Sequence, residues 1–148
     1  MKSCFLFGHG DAPYEIQHRI EEAVEYHYLQ HGVRQFYVGN HGAFDSMATS
    51  AVKAVKQMHR DIELYLLIPY HPAERAVPVP EGFDHTFYPP LERVPRRYAI
   101  VRANRYMVDT CDTIICYASH FGNARNLLEY AKAKEILIQN LGDGGGQP

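Results

Sequence analysis

The chain has 148 residues, of which 46% are hydrophobic and 22% charged, and these proportions are typical of one soluble domain with a sizeable core. The net charge of −2 and the lack of a Lys/Arg stripe with interleaved aromatic residues argue against nucleic-acid binding. The apolar runs are too short to span a bilayer and no signal-peptide pattern opens the sequence, so we expect a cytoplasmic protein without membrane contact.

Three short apolar strands alternate with two helices in the first half of the chain. Strands are predicted over 3–7, 35–38 and 62–68, because short apolar runs are typical of strands buried on both faces. The first helix is predicted to begin near Pro13 and to end at Gly32. This alternation predicts a parallel sheet with right-handed crossovers. The helices have apolar stripes at helical spacing, Ile16, Ile20, Ala23, Val24 and His27 in the first and Phe44, Met47, Ala48, Ala51, Val55 and Met58 in the second.

A proline-rich flap follows the third strand. Residues 69–97 hold seven of the nine prolines, and a structureless loop of this length is unusual in a compact domain. We therefore expect a semi-rigid flap with one short strand over 86–88. The chain also has 11 tyrosines and 7 phenylalanines, and the flap around 83–91 is expected to expose some of them. Such surplus aromatic surface favours a homodimer or higher oligomer.

The last part of the chain returns to the strand–helix rhythm. A helix is predicted over 98–110, a strand over 112–118 and a final strand over 135–139. Between the two strands, the turn 119–123 opens a helix. The predicted inward faces are Val101, Asn104, Met107, Val108 and Cys111 in the first of these helices, and Ala124, Leu127, Leu128 and Ala131 in the second. We therefore predict one α/β domain over 1–141 with a mostly parallel central sheet, followed by a flexible tail over 142–148.

The residues that follow each strand are the candidates for a binding site, because ligands bind beyond the carboxyl ends of strands in open parallel sheets. Four histidines share this edge, and imidazole can donate, accept or carry charge near neutral pH, which suits a phosphate or a polar base. Glycine turns that open helices also leave backbone N–H groups free for an anion. The segments are Gly8-His9-Gly10, Gly39-Asn40-His41-Gly42, Pro69-Tyr70-His71 and Ser119-His120-Phe121-Gly122-Asn123.

Several of these residues have a structural interpretation as well. Loop histidines face water by default. Asp45 either caps and complements the helix dipole or bonds to a ligand hydroxyl. Asn104 lies on an otherwise apolar face and needs a partner, which is either backbone or ligand. Its neighbours Arg102 and Arg105 suit bidentate phosphate contact, or equally a solvated face or an ion pair.

Other kinds of site lack support in the sequence. The glycine turns match neither the G-x-x-x-x-G-K-[ST] loop nor the full G-x-G-x-x-G fingerprint, and no serine nucleophile elbow is present. No metal-ligand spacing stands out: His27 and His31 lie four residues apart without a third ligand, and we expect them on the helix surface. Cys4, Cys111 and Cys116 are expected to be buried, reduced thiols. We predict neither a metal nor a cofactor.

Together these turns resemble the SLOG superfamily, which includes DprA/Smf and the LOG phosphoribohydrolases, and within it the small YpsA-like branch. The likeness covers residues 3–140. It lies in Gly8-His9, in Gly39 with Gly42-Ala-Phe-Asp45, in Pro69, in Asn104-Arg-Tyr-Met-Val-Asp109 with Asp112, in Gly122 and in Tyr130-Ala131. The resemblance implies a Rossmann-like three-layer sandwich that binds nucleotides or nucleotide-derived signals.

The chain departs from the enzymes of this superfamily at their catalytic positions. Those enzymes cleave the N-glycosidic bond of nucleoside monophosphates with an Arg and with the Glu of Pro-Gly-Gly-x-Gly-Thr-x-x-Glu. Here Ala103 stands at the position of the Arg, although Arg102 is adjacent, and Asn126 stands at the position of the Glu. An amide cannot stabilise the positive charge that develops on the sugar during cleavage. Glu129, one helical turn further on, is the remaining candidate for that role.

The leading hypothesis is a domain that binds a small nucleotide-like ligand, with phosphate on the amides of 39–42 and 121–123. The alternative is a nucleotide N-glycosidase that uses His120 with Asp45 or Glu129. A third interpretation is a protein-interaction module with the proline-rich flap as its contact surface. The predicted ligand-binding residues are Gly8, His9, Gly39, Asn40, His41, Gly42, Asp45, Pro69, Arg102, Asn104, His120, Phe121, Gly122 and Asn123.

Overall fold

One parallel sheet forms the centre of the fold. The computed structural model describes residues 1–70, 78–91 and 94–143, and the strands in these ranges all pair in parallel. The chain runs outward from β1 to β4 on one side and then returns to the other side of β1 with β5, so the strand order reverses between β1 and β5. The strands β1 (Lys2–Gly8), β2 (Val33–Val38), β3 (Glu63–Leu67), β4 (His85–Phe87), β5 (Thr113–Tyr117) and β6 (Leu137–Asn140) lie in the order β4-β3-β2-β1-β5-β6.

Helices cover both faces of this sheet. Because successive residues of a strand point to opposite faces, Leu6 of β1 packs in one core with the first two helices, and Phe5 and Phe7 pack in a second core with the last two. This arrangement confirms the predicted three-layer α/β sandwich. No helix in the described ranges is long and apolar enough to cross a membrane. The α-helices in those ranges are α1 (Gln17–His31), α2 (Ala43–Met58), α3 (Arg96–Thr110) and α4 (Asn123–Lys132).

The predicted inward faces of α1 and α4 are confirmed, and those of α2 and α3 need one correction each. Gly32 ends α1 in the left-handed conformation, with φ of 69°. In α2, Met58 is 78% exposed because the helix ends at this residue. In α3, Val101 is 44% exposed, whereas Ala99 and Ala103 are buried. The small alanine side chains therefore face the core, and the predicted position of Val101 is wrong.

The last strand, β6, begins two residues later than predicted. After α4, the N–H of Ala133 bonds to the carbonyl of Tyr130, and the N–H of Lys134 bonds to that of Ala131. These bonds prolong the helical turn beyond Lys132. The chain is therefore free to pair with β5 only from Leu137.

His27 lies in the core, which corrects the expectation that it lies on the helix surface. Its Nδ1 lies 3.0 Å from Thr113 Oγ1 on β5, and its Nε2 lies 3.0 Å from Gln139 Oε1 on β6. Burial lowers the pKa of His27 to about 4. This neutral histidine therefore ties α1 to two neighbouring strands.

The three cysteines are buried, as the sequence predicts, and they form no disulfide with one another. Burial raises the pKa of Cys111 and that of Cys116 to about 12, and it raises the pKa of Cys4 as well. A thiol that stays protonated is a poor nucleophile and a poor metal ligand. These side chains therefore act as small apolar core residues.

The proline-rich flap is anchored where the structure describes it. β4 lies one residue earlier than predicted and pairs with β3, so β4 itself is the edge strand of the sheet. Asp84, just before β4, accepts hydrogen bonds from the N–H of Leu64 over 2.8 Å and from Nζ of Lys56. Phe83 and Phe87 pack against the two cores, so they do not supply the exposed aromatic surface that the sequence predicts. Residues 71–77, 92–93 and 144–148 lie outside the described residues, and with them His71, Arg93 and most of the predicted tail.

Candidate functional site

A cavity of about 410 Å³ opens at the carboxyl edge of the sheet, beyond β1 and β5. This is the point where the strand order reverses, and ligands bind at such points in open α/β sheets. Its walls come from the turn after β1, the start of α2, the turn that leads into α4, and one side of α3. The lining residues are Phe5, Leu6, Phe7, Gly8, His9, Gly10, Asp11, His41, Gly42, Asp45, Ile100, Asn104, His120, Phe121, Gly122, Asn123, Ala124 and Leu127.

The start of α2 packs directly against the turn after β1. The N–H of Ala43 donates to the carbonyl of Gly10 over 3.0 Å. A Cβ atom at Gly42 would lie 2.6 Å from Cα of Gly10, a distance that only glycine permits. Gly42 is also the residue that precedes the helix, and no side chain caps that end. The two turns are thus held together as one wall of the cavity.

Asp45 fixes the turn that precedes α2. Its Oδ2 accepts a hydrogen bond from the N–H of His41 over 2.9 Å. Burial raises the pKa of the half-buried Asp45 carboxyl, and the bond and charge of His41 partly oppose this. Asp45 therefore holds the turn before α2 and does not cap the helix, and its carboxylate lines the cavity, where it adds negative charge.

His9 links the turn after β1 to the turn after β5. Its Nε2 accepts hydrogen bonds from the N–H of Ser119 over 2.9 Å and from that of His120 over 3.2 Å. The neutral ring therefore carries its proton on Nδ1. His9 is only 5% exposed, and burial lowers its pKa, with a further decrease from His120 and a smaller opposing effect of Asp11. Burial and the two N–H groups that donate to Nε2 therefore favour the neutral form of His9.

His120 stacks on His9, with ring centroids 3.7 Å apart and planes 8° from parallel. Its Nδ1 lies 2.9 Å from the carbonyl oxygen of Phe121, and its Nε2 lies 3.4 Å from Asp11 Oδ1. One ligand atom from each of His9, Asp11 and His120 lies within 4.8 Å of the other two, which is the spacing of a metal site. However, Nε2 of His9 already accepts two N–H groups and its Nδ1 carries the proton. The cluster therefore suits hydrogen bonding better than metal ligation.

The start of α4 presents free amides to the cavity. Gly122 has φ of +147°, a conformation that favours glycine, and no side chain caps the helix. The N–H of Asn126 donates to the carbonyl of Gly122 and makes the first hydrogen bond of the helix. The N–H groups of residues 123–125 precede that bond, so they have no partner within the helix. The first turn of α4 contains no acidic residue.

The structure brings most of the predicted site residues together and leaves four outside the cavity lining. Gly39 lies behind Asp45, since a Cβ at this glycine would be 3.0 Å from Asp45 Oδ2. Pro69 follows β3, which β2 separates from β1. Arg102 is exposed on the outer side of α3, and Asn40 is exposed at the tip of its turn. Gly8, His9, His41, Gly42, Asp45, Asn104, His120, Phe121, Gly122 and Asn123 all line the cavity, and their contact with a ligand stays a prediction.

Glu129 does not line the cavity. Its carboxylate pairs with Arg125 over 3.4 Å and with Lys132 over 3.5 Å, on the exposed side of α4. Of the three side chains named for a catalytic role, the cavity thus contains Asp45 and His120.

Eight lining residues were not predicted as ligand-binding, and two of them, Ile100 and Asp11, had no assigned role at all. Ile100 was missed because the predicted inward face of α3 ran through Val101. Asp11 directly follows the Gly8-His9-Gly10 turn, and its charge at the end of a buried strand was the signal that could have identified it.

Comparison with known proteins supports the fold. No family model and no curated protein matches the sequence. Among solved structures, the chain is similar to the X-ray structure of DNA processing protein A (DprA) from Streptococcus pneumoniae, with a TM-score of 0.66 and 14% sequence identity. The two proteins share a Rossmann-like fold. The match covers 93% of this chain and 49% of the DprA chain, so this chain spans about half the length of DprA.

At this low identity the likeness is one of fold alone. It does not test the YpsA-like branch or any bound ligand.

Proposed function

We propose that this chain is a cytoplasmic SLOG-type domain of the YpsA-like branch that binds a nucleotide or nucleotide-derived ligand. The observation that carries the proposal is that α2 and α4 both begin, without a side-chain cap, at one cavity. The first N–H groups of a helix have no partner within the helix, and its dipole makes this end electropositive. At α2 the N–H of Ala43 already donates to the carbonyl of Gly10, so α2 contributes mainly its dipole. Two such ends beside one cavity suit a small molecule that carries phosphate.

The phosphate lies at the start of α4 in this proposal. The first turn of α2 contains Asp45, which lines the cavity and would repel an anion, whereas the first turn of α4 has no acidic residue. His120 lies next to these amides and can donate a hydrogen bond or carry a positive charge. The start of α4 is therefore the more favourable place for phosphate oxygens.

The rest of the cavity suits the sugar, and the base lies on the side of Asn104. A carboxylate accepts hydrogen bonds from sugar hydroxyls, and Asp45 lines the cavity from α2. Asn104 adds an amide from α3 that both donates and accepts. The volume of about 410 Å³ lies within the range of small-molecule sites.

A second candidate function is hydrolysis of the N-glycosidic bond. It is favoured by the position of Asp45, a cavity carboxylate whose pKa is raised by burial. Glu129 pairs with two cations outside the cavity, so of the two carboxylates that the sequence suggested for this chemistry, Asp45 is the one in the cavity lining. Incubation with nucleoside monophosphates followed by chromatography would reveal released base if the chain is catalytic.

The proposed binding is tested by isothermal titration of nucleoside monophosphates, cyclic nucleotides and ADP-ribose. In the variant Asn123→Asp, a carboxylate stands at the first residue of α4, and we expect affinity to fall at least about tenfold by charge repulsion. Gln57→Glu makes the same charge change at the exposed far end of α2 and should leave affinity unchanged. Folded wild-type protein that binds no member of the panel would contradict the proposal.

Self-association stays a prediction. The exposed aromatic side chains that could mediate it do not lie in the flap around 83–91, which the sequence suggested. Tyr14 and Phe121 are the large aromatic side chains with the greatest exposure in the described ranges, at 83% and 97%. Size-exclusion chromatography with light scattering tests it, and a monomer at high concentration would refute it.

A further inference from the structure

A second, smaller groove lies beside the cavity, between α3 and α4. Its volume is about 130 Å³, and it shares the lining residues Ile100, Asn104, Asn123 and Leu127 with the cavity. A ligand at the start of α4 can therefore extend into this groove without leaving the protein surface.

The groove combines apolar walls with unpaired amides. Ile100 and Leu127 supply the apolar surface, and Asn104, Asn123 and Asn126 supply three side-chain amides. None of these three amides makes a hydrogen bond to another described residue.

Among the described residues, no carboxylate lines this groove. The guanidinium of Arg105 lies over the ring of Tyr130, 4.9 Å from its centroid. The three asparagine amides are therefore the side chains of the groove that can hydrogen-bond to a neutral group of a ligand.

We infer that this groove is the base-binding subsite of the proposed nucleotide site, with the amides of Asn104 and Asn126 paired to the edge of the base. A nucleobase has apolar faces and an edge of donors and acceptors, which matches apolar walls that carry amides. An amide places a donor beside an acceptor, so it can make two hydrogen bonds to one base edge. This inference rests on the proposed function.

The spacing along α4 fits one nucleotide unit. Asn123 and Asn126 are three residues apart and therefore lie one above the other on the same helix face, about one turn apart. A phosphate on the first amides of α4 leaves the base one turn further along the helix, next to Asn126. The sugar then lies between them, facing the cavity.

The test compares ribose 5-phosphate with nucleoside monophosphates by isothermal titration. Wild-type protein should bind its best nucleoside monophosphate at least about tenfold more tightly than ribose 5-phosphate. Asn126→Leu keeps the shape of the side chain but removes both hydrogen bonds, so it should abolish most of this preference and leave ribose 5-phosphate affinity unchanged. Asn104→Leu repeats the test from α3, and Lys132→Gln on the exposed end of α4 is the control.

The outcomes separate the two proposals. Equal affinity for ribose 5-phosphate and for nucleotides, or a nucleotide preference that survives Asn126→Leu and Asn104→Leu, would overturn the base subsite and leave phosphate binding intact. If neither ribose 5-phosphate nor any nucleotide binds to folded protein, the proposed function fails, and the base subsite fails with it.

Discussion

His9 accepts a hydrogen bond through Nε2 from the backbone N–H of Ser119, across 2.9 Å, and so joins the end of β1 to the turn that starts α4. The same nitrogen accepts the N–H of His120. A lone pair on one buried ring thus fixes the turn whose amides face the cavity. Any change that removes this lone pair should release the turn.

Acid should weaken ligand binding through His9. Its pKa in the folded protein lies below the ordinary value of 6.5, mainly because of burial, so the ring stays neutral above that pH. Protonation places a hydrogen on Nε2, which then faces two N–H donors. Affinity for the best nucleotide should therefore be constant above pH 6.5 and should fall as the pH decreases further below that value.

Two substitutions separate the lone pair from the charge. His9→Gln places Oε1 near the position of Nε2, so it keeps an acceptor that does not titrate, and affinity should stay high with a weaker pH dependence. His9→Ala removes the acceptor and should lower affinity at every pH. His120 and Asp11 lie beside His9, and Tyr117 packs edge-on against its ring, so a residual slope in His9→Gln reports on groups other than His9, including the ligand phosphate. An unchanged pH profile in His9→Gln would show that His9 is not the switch.

Gly42→Ala should destabilise the fold, whereas Gly10→Ala should not. The added Cβ at Gly42 would lie 2.6 Å from Cα of Gly10, so α2 must move away from the turn after β1. A Cβ at Gly10 meets no atom within 4 Å, which makes it a matched control in the same contact. We expect a loss of about 1–3 kcal/mol for Gly42→Ala in chemical denaturation. Equal stability of the two variants would contradict this packing.

The buried His27 should make the fold sensitive to acid. Its pKa is about 4 in the folded protein against the ordinary 6.5, so between these values the unfolded chain binds more protons and stability decreases as the pH falls. From pH 8 to pH 5 this group alone should remove about 2 kcal/mol from the free energy of unfolding. Urea unfolding at several pH values measures this slope.

The variant His27→Gln isolates that contribution. It removes the titrating ring, so the slope of stability against pH should become shallower, whatever the absolute stability of the variant. His18→Gln changes an exposed histidine on the same helix and should keep the wild-type slope. If both variants retain the full slope, His27 is not the source of acid sensitivity.

Asp45→Asn should increase the affinity for inorganic phosphate. An amide oxygen can still accept the N–H of His41, so the turn is kept, while the negative charge in the cavity is removed. We expect a gain of about fivefold, which corresponds to about 1 kcal/mol. Glu81→Gln removes the same charge outside the cavity lining and should have no effect. A decrease in phosphate affinity for Asp45→Asn would mean that the carboxylate does not oppose anion binding.

The spacing of apolar residues predicted the strands and most buried helix faces, because burial of one face imposes that spacing on the sequence. The apolar run around Phe5 and the stripes of α1 and α4 each had one arrangement that removes apolar surface from water. The parallel sheet followed from the alternation of these elements. The convergence of the turns followed from the parallel sheet, because the carboxyl ends of parallel strands all lie at the same edge.

Other features depend on partners that are distant in the sequence. His27 falls on the apolar stripe of α1, but burial of its polar ring is favourable only because Thr113 and Gln139 supply hydrogen-bond partners. The face of α3 was misplaced because Val101 is more apolar than the alanines that pack closely on the sheet. Asp45 could not be assigned because its partner is a backbone N–H, which every residue type but proline supplies.

A crystal structure with a bound nucleoside monophosphate is the most direct test of phosphate binding at the start of α4. We expect phosphate oxygens within hydrogen-bond distance of the backbone N–H groups of Asn123 and Ala124, with the base in the groove beside Asn126. A phosphate bound elsewhere on the molecule, with the amides at the start of α4 in contact with solvent alone, would contradict it.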